Sequence, residues 1–114
     1  MRPDTTVKEN YLFRRIYRKG ASAVEPCLVV YCQRNRKGQT RLGVTVSTKL
    51  GKAVVRNRVR RQMRELWRTH KSEMVSGYDV IVVVRNRATR TPYRVLERQY
   101  LDALEKLSLW EQPV

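Results

Sequence analysis

Seven consecutive residues, Tyr78 to Val84, read Tyr-Asp-Val-Ile-Val-Val-Val and are β-rich and apolar at almost every position. A strand with one wet face would alternate, so this run predicts a strand covered on both sides, central or parallel in its sheet. Other elements must supply that cover. A chain of 114 residues has enough apolar material for one modest core and too little for two.

The remaining segments divide cleanly. Val7 to Lys19 places Val7, Tyr11, Leu12 and Ile16 near helical spacing, with Phe13 and Tyr17 beside them and Gly20 set to end the element. Cys27 to Gln33 is β-branched and aromatic. Arg34-Asn35-Arg36-Lys37-Gly38 then supplies turn chemistry before Arg41 to Ser47, so the two runs read as a hairpin. In the second run Leu42, Val44 and Val46 alternate with Arg41, Gly43, Thr45 and Ser47, which predicts one buried face and one smaller, wetter face. Leu50-Gly51-Lys52-Ala53 leads into a helical segment ending near His70. Tyr93 to Leu109 closes the chain as an amphipathic helix, with Pro92 near its first turn. Ser22 to Pro26 is placed to add an edge strand. The expected architecture is an α+β sandwich in αβββαβα order, about four strands with helices packed against them. No repeat, low-complexity tract or linker divides residues 1–114, so one domain with short flexible ends is expected.

Charge narrows the function. Lys and Arg number 25 against 10 Asp and Glu, a net +15. The excess is pooled, because residues 34–71 hold 13 Lys or Arg and a single acid, Glu65, whereas residues 85–114 hold 6 against 4. Phosphate binding with counterion release rewards such clustering, and solubility alone does not. The pooling has a scaffold. At 100° per residue Val55, Val59, Met63, Leu66 and Trp67 gather on one stripe of the segment from Ala53 to His70, with Arg58, Arg60, Arg61, Arg64 and Arg68 on the other side. No apolar run approaches the roughly 20 residues of a membrane span, and Met1 to Asn10 lacks a signal-like core, so a cytoplasmic location is expected. Cys27 and Cys32, five positions apart in one expected strand, should point to opposite faces and sit as unreactive thiols.

The stretch Gly51-Lys-Ala-Val-Val-Arg-Asn-Arg-Val-Arg-Arg-Gln-Met-Arg-Glu65 closely resembles the signature of the bacterial ribonuclease P protein family, an Arg-Asn-Arg sequence opening a basic helix after a strand and a glycine-containing connection. Leu42 to Gly51 resembles the family's preceding strand and loop. Phe13, Tyr17 and Lys19-Gly20 resemble its first helix, and Tyr78 to Val83 its following strand. Two positions depart from the pattern. Ser47-Thr48-Lys49 stands where the family often has Ser-Lys-Lys, removing one cation, and Tyr17 stands where Phe is common.

The resemblance implies a fold like that of a ribosomal-protein domain and a protein subunit of ribonuclease P. Such a subunit binds the catalytic RNA with its basic helix and the 5′ leader of precursor tRNA in a cleft between the first helix and the sheet. It implies Mg2+ acting through the RNA subunit, no organic cofactor, no membrane and no required protein partner. Arginine forks suit phosphate oxygens and can stack on bases, so Arg56, Arg58, Arg60, Arg61 and Arg64 are the expected ribozyme contacts. Asn57 either joins them or braces the helix start, and Arg68 is either a contact or a solvated partner of Glu65. Phe13, Tyr17 and Tyr31 either line a groove for unpaired bases or pack as ordinary core. Arg41, Lys49 and Lys52 are candidate leader contacts. An independent nuclease would need converging carboxylates or a histidine acid and base. His70 stands alone near a helix end, and Asp79 and Glu65 are not paired at readable spacing, so no catalytic residue and no metal ligand is assigned on the protein. The competing readings are a small basic ribosomal or ribosome-assembly protein and a DNA-binding domain.

Overall fold

The computed structural model describes residues 10–110 of the chain. Its elements are α1 (Asn10–Lys19), β1 (Ala21–Val24), β2 (Leu28–Arg34), β3 (Arg41–Thr45), α2 (Ala53–His70), β4 (Tyr78–Val84) and α3 (Tyr93–Lys106). Short 3-10 turns lie at Thr48–Leu50, Lys71–Glu73 and Asn86–Arg90. The part of the expected first helix before Asn10 falls outside the described residues.

The four strands form one sheet in the order β1-β2-β4-β3. β4 runs antiparallel to β2 on one edge and parallel to β3 on the other, and only Tyr78 and Val83 of its seven residues are other than buried. The doubly apolar run is thus central and, on one side, parallel, as its composition requires.

The expected hairpin is not formed. β2 and β3 are kept apart by β4, and the hairpin partner of β2 is β1, paired antiparallel from Ala21↔Cys32 to Val24↔Val29. The turn after β2 has the local chemistry expected of it: Lys37 N–H donates to Asn35 Oδ1 (2.9 Å), Asn35 Nδ2 donates to the Gln39 carbonyl (3.0 Å), and Gly38 adopts φ +75°, which favours glycine. Turn chemistry reverses the chain without choosing the neighbour. A β2–β3 pair would push β4 to an edge, where its apolar faces and one row of amides would lack cover.

Register sorts the side chains. Leu28, Val30 and Cys32 of β2, Val80, Val82 and Val84 of β4, and Leu42 and Val44 of β3 share one face. Against it pack Val59, Met63, Leu66 and Trp67 of α2 and Leu96, Tyr100, Ala103 and Leu104 of α3. The opposite face presents Val29, Tyr31, Ile81, Val83 and Thr45, and α1 lies across part of it with Ile16 fully buried. α1 approaches closely because its last turn meets Gly20. A Cβ there would stand 2.4 Å from the Cys32 carbonyl oxygen and 2.6 Å from that of Ile16, so only hydrogen fits.

The cysteines also differ from expectation. Both are buried in the same core, because the regular strand begins only at Leu28. Before it, Cys27 is turned toward α3, its N–H donating to Gln99 Oε1 (2.8 Å) and its Sγ lying 3.3 Å from Thr91 Oγ1. Burial pushes the Cys32 thiol up from its ordinary value, which fits an inert thiol.

His70 ties the end of α2 to α3. Its Nδ1 lies 3.0 Å from Glu73 Oε1 and its Nε2 lies 2.7 Å from Glu97 Oε2. Burial pulls the imidazole pKa down, but the hydrogen bonds and charges of Glu73 and Glu97 outweigh it and raise the value above 6.5. A folded value above the unfolded one stabilises the fold fully below about pH 6.5, and the contribution is lost as pH rises through the folded value. The expected result is a stability that declines across that window in urea titrations. In His70→Gln the same decline is expected to flatten.

Candidate nucleic-acid interface

α2 is anchored by its apolar stripe and turns its arginines outward. Val59, Met63 and Leu66 are at most 1 % exposed, whereas Arg58, Arg61, Arg64 and Arg68 are exposed and Arg56 and Arg60 half-buried along a flank. Gly51, at φ +143°, makes the turn that starts the helix, and Arg56 Nε donates back to its carbonyl (3.1 Å). Arg58 Nη2 donates to the Thr89 carbonyl (2.7 Å), and Arg60 Nη1 donates to Asn57 Oδ1 (3.3 Å). Arg61 and Arg64 make no ion pair among the described residues. The N-cap position is Lys52, with no side-chain capping bond, so Asn57 stands inside the helix and does not cap it. Arg68 is exposed and forked onto Glu65, its Nε 3.2 Å from Oε1. At that exposure the pair is weak and leaves Arg68 a solvated partner of Glu65.

A second group of candidates meets on the opposite face of the sheet. Phe13 and Tyr17, one turn apart on α1, stand edge to face with centroids 6.3 Å apart, and Tyr17 meets Tyr31 of β2 at 4.9 Å. The Tyr17 hydroxyl lies 3.1 Å from Thr45 Oγ1, which fixes the ring over β3. These rings are not core: Phe13 and Tyr31 are half-buried and Tyr17 is 38 % exposed. Three linked, partly exposed rings beside a helix can take the stacking of unpaired bases.

Lys49 and Lys52 are exposed in the connection from β3 to α2. Ser47 Oγ accepts the Lys49 N–H (3.1 Å) and orders that connection. Arg41 is placed differently. It shares the face of Tyr31, but its Nε and Nη2 bind Asp79 Oδ1 and Oδ2 at 2.7 and 2.8 Å, with side chains only 13 % and 6 % exposed. Asn35 Nδ2 also donates to Asp79 Oδ1 (2.9 Å). Sequence reasoning missed this pair. A carboxylate inside an apolar strand was the available signal, since a buried charge requires a partner; which partner depended on register.

Among the described residues no three His, Cys, Asp or Glu side chains gather to hold a metal ion, and no helix is long and apolar enough to cross a membrane. The arrangement offers two faces: a rigid row of guanidinium groups suited to phosphates, and a cluster of partly exposed aromatic rings suited to single strands.

Known proteins resemble this chain along nearly its whole length. The family model for ribonuclease P matches residues 1–108. The chain is 36% identical over 109 residues to the ribonuclease P protein component of Natranaerobius thermophilus, covering 96% of this chain and 95% of the relative. Among solved structures, a Staphylococcus aureus RNase P protein mutant with defective mRNA degradation activity superposes with a TM-score of 0.87 at 35% identity, covering 96% of this chain and 93% of that one. The RNase P protein of Thermotoga maritima gives a TM-score of 0.78 at 28% identity, covering 85% and 92% respectively. These relatives do not favour the ribosomal alternative. With a basic helix, and sequence and fold similarity along nearly its whole length, the chain belongs to the ribonuclease P protein component family.

Proposed function

We propose that this chain is the protein subunit that binds the ribonuclease P catalytic RNA through α2 and the 5′ leader of precursor tRNA through the α1–sheet groove. It thereby assists endonucleolytic removal of the leader. The observation that carries the reading is the outward row Arg58, Arg61 and Arg64, exposed on a helix whose other side is locked into the core. Catalysis belongs to the RNA, with Mg2+ bound there. The chain contributes clamping and positioning, which accelerate a reaction through binding energy without a reacting group. A cytoplasmic location goes with that role.

Adding the chain to the catalytic RNA at low magnesium is expected to stimulate precursor-tRNA cleavage. Stimulation should disappear when Arg58, Arg60 and Arg61 become Ala. Unaltered cleavage together with tight binding of ribosomal RNA or duplex DNA would reject the reading.

The groove makes its own prediction. In the assembled particle, Tyr31→Ala is expected to weaken precursor tRNA carrying a leader about tenfold and to leave leaderless tRNA unaffected, since a stacked base is worth roughly 1–3 kcal/mol. Tyr17→Phe keeps the ring and loses only the Thr45 contact, so it should bind nearly as the parent does. Fluorescence titrations with the two substrates check both outcomes.

A further inference from the structure

The segment after β4 reads Arg85-Asn86-Arg87-Ala88-Thr89-Arg90, three arginines in six residues with no acid. It is a built element. The 3-10 turn Asn86–Arg90 is closed by Ala88 N–H to the Arg85 carbonyl (3.0 Å), Thr89 Oγ1 to the Asn86 carbonyl (2.9 Å) and Thr91 Oγ1 to the Arg87 carbonyl (2.7 Å). Ala88, 1 % exposed, plugs the turn into the core. Of the three arginines, Arg85 is partly committed, its Nη1 donating to the Glu25 carbonyl (3.1 Å). Arg87 and Arg90 are exposed and have no ion-pair partner among the described residues.

The turn also stands against α2. Arg58 reaches across and donates to the carbonyl of Thr89, the residue next to Arg90. Arg61 follows Arg58 by three residues and so shares its flank of the helix. Arginines thus stand on two elements joined by that bond, and Arg61, Arg87 and Arg90 have no ion-pair partner among the described residues. Like charges held together this way repel unless a polyanion supplies the counter-charge.

We propose that the Asn86–Arg90 turn is a second wall of the RNA interface, with Arg87 and Arg90 gripping the phosphodiester backbone of the same catalytic RNA that α2 binds and Arg58 bracing turn to helix. This rests on the reading of α2 given above. The footprint is then two-sided, which fixes the RNA's orientation on α2 as a single row of cations would not.

The test uses the full chain and the catalytic RNA over a series of salt concentrations. Arg87→Ala with Arg90→Ala is expected to weaken binding about tenfold and to reduce the slope of log affinity against log salt by about 1 to 2. Arg34→Ala with Arg36→Ala removes the same charge from exposed positions at the end of β2 and in the turn after it and should change the slope much less. Equal effects of the two pairs would overturn the proposal, because only net charge would then matter. If an α2 variant loses binding while the Arg87 and Arg90 variant behaves as the parent, the proposal fails and the reading of α2 stands. If the α2 variant itself binds as the parent, that reading fails. Loss confined to precursor tRNA on the assembled particle, with catalytic-RNA affinity intact, would place the turn against the substrate and overturn the assignment to the catalytic RNA.

Discussion

Converting Arg60, Arg61 and Arg64 together to Ala is expected to weaken catalytic-RNA binding at least about a hundredfold at physiological salt and to flatten the salt dependence by about three units of slope, since each phosphate contact releases roughly one counterion. The melting temperature should stay within a few degrees of the parent. α2 is held by Val59, Met63, Leu66 and Trp67, and none of the three arginines forms an ion pair among the described residues. The matched Lys variant keeps the charge and loses the planar fork, so it should recover the slope but only part of the affinity. Filter binding at several salt concentrations separates these outcomes. An unchanged slope in the triple Ala variant would remove α2 from the interface.

Asp79→Ala is expected to cost about 3–5 kcal/mol of stability, because it leaves the nearly enclosed Arg41 guanidinium without its carboxylate. For a domain of this size that corresponds to a fall in melting temperature of roughly 10–25 °C. The effect reaches beyond one bond. Asp79 accepts from Asn35 as well as Arg41, so it joins the end of β2, the start of β3 and the start of β4 at one point. Replacing both members with apolar residues of similar size, Arg41→Met with Asp79→Leu, should recover much of the loss, since removing both charges also removes their desolvation. A single Asp79→Ala variant that melts with the parent would show that the pair contributes little.

Several elements were legible because their patterns are local. The arginine row and apolar stripe of Ala53 to His70 have the 3.6-residue period of a helix, and α2 occupies those residues. Simple alternation along the run from Cys27 to Gln33 puts Tyr31 on the face opposite Val30 and Cys32, and there it meets Tyr17. Other features were not legible. Arg41 read as a candidate leader contact because its partner lies 38 residues away on a strand whose register no local pattern states. Arg58 likewise finds Thr89 only after β4 has returned to the sheet. The Cys27 side chain could not be placed by alternation because the strand had not yet begun.

By itself, then, the chain's order of residues determined which segments are helix or strand, that one strand is covered on both sides, and that a dense field of arginine rides on one rigid helix. Tertiary structure decided the neighbours: β4 enters between β2 and β3, α1 takes the face opposite α2 and α3, and Asp79 claims Arg41. The physical reason is range. Periodicity and turn chemistry act over a few residues, whereas strand order and charge pairing are settled by burying the most apolar strand and satisfying its one carboxylate, which involves the whole chain at once.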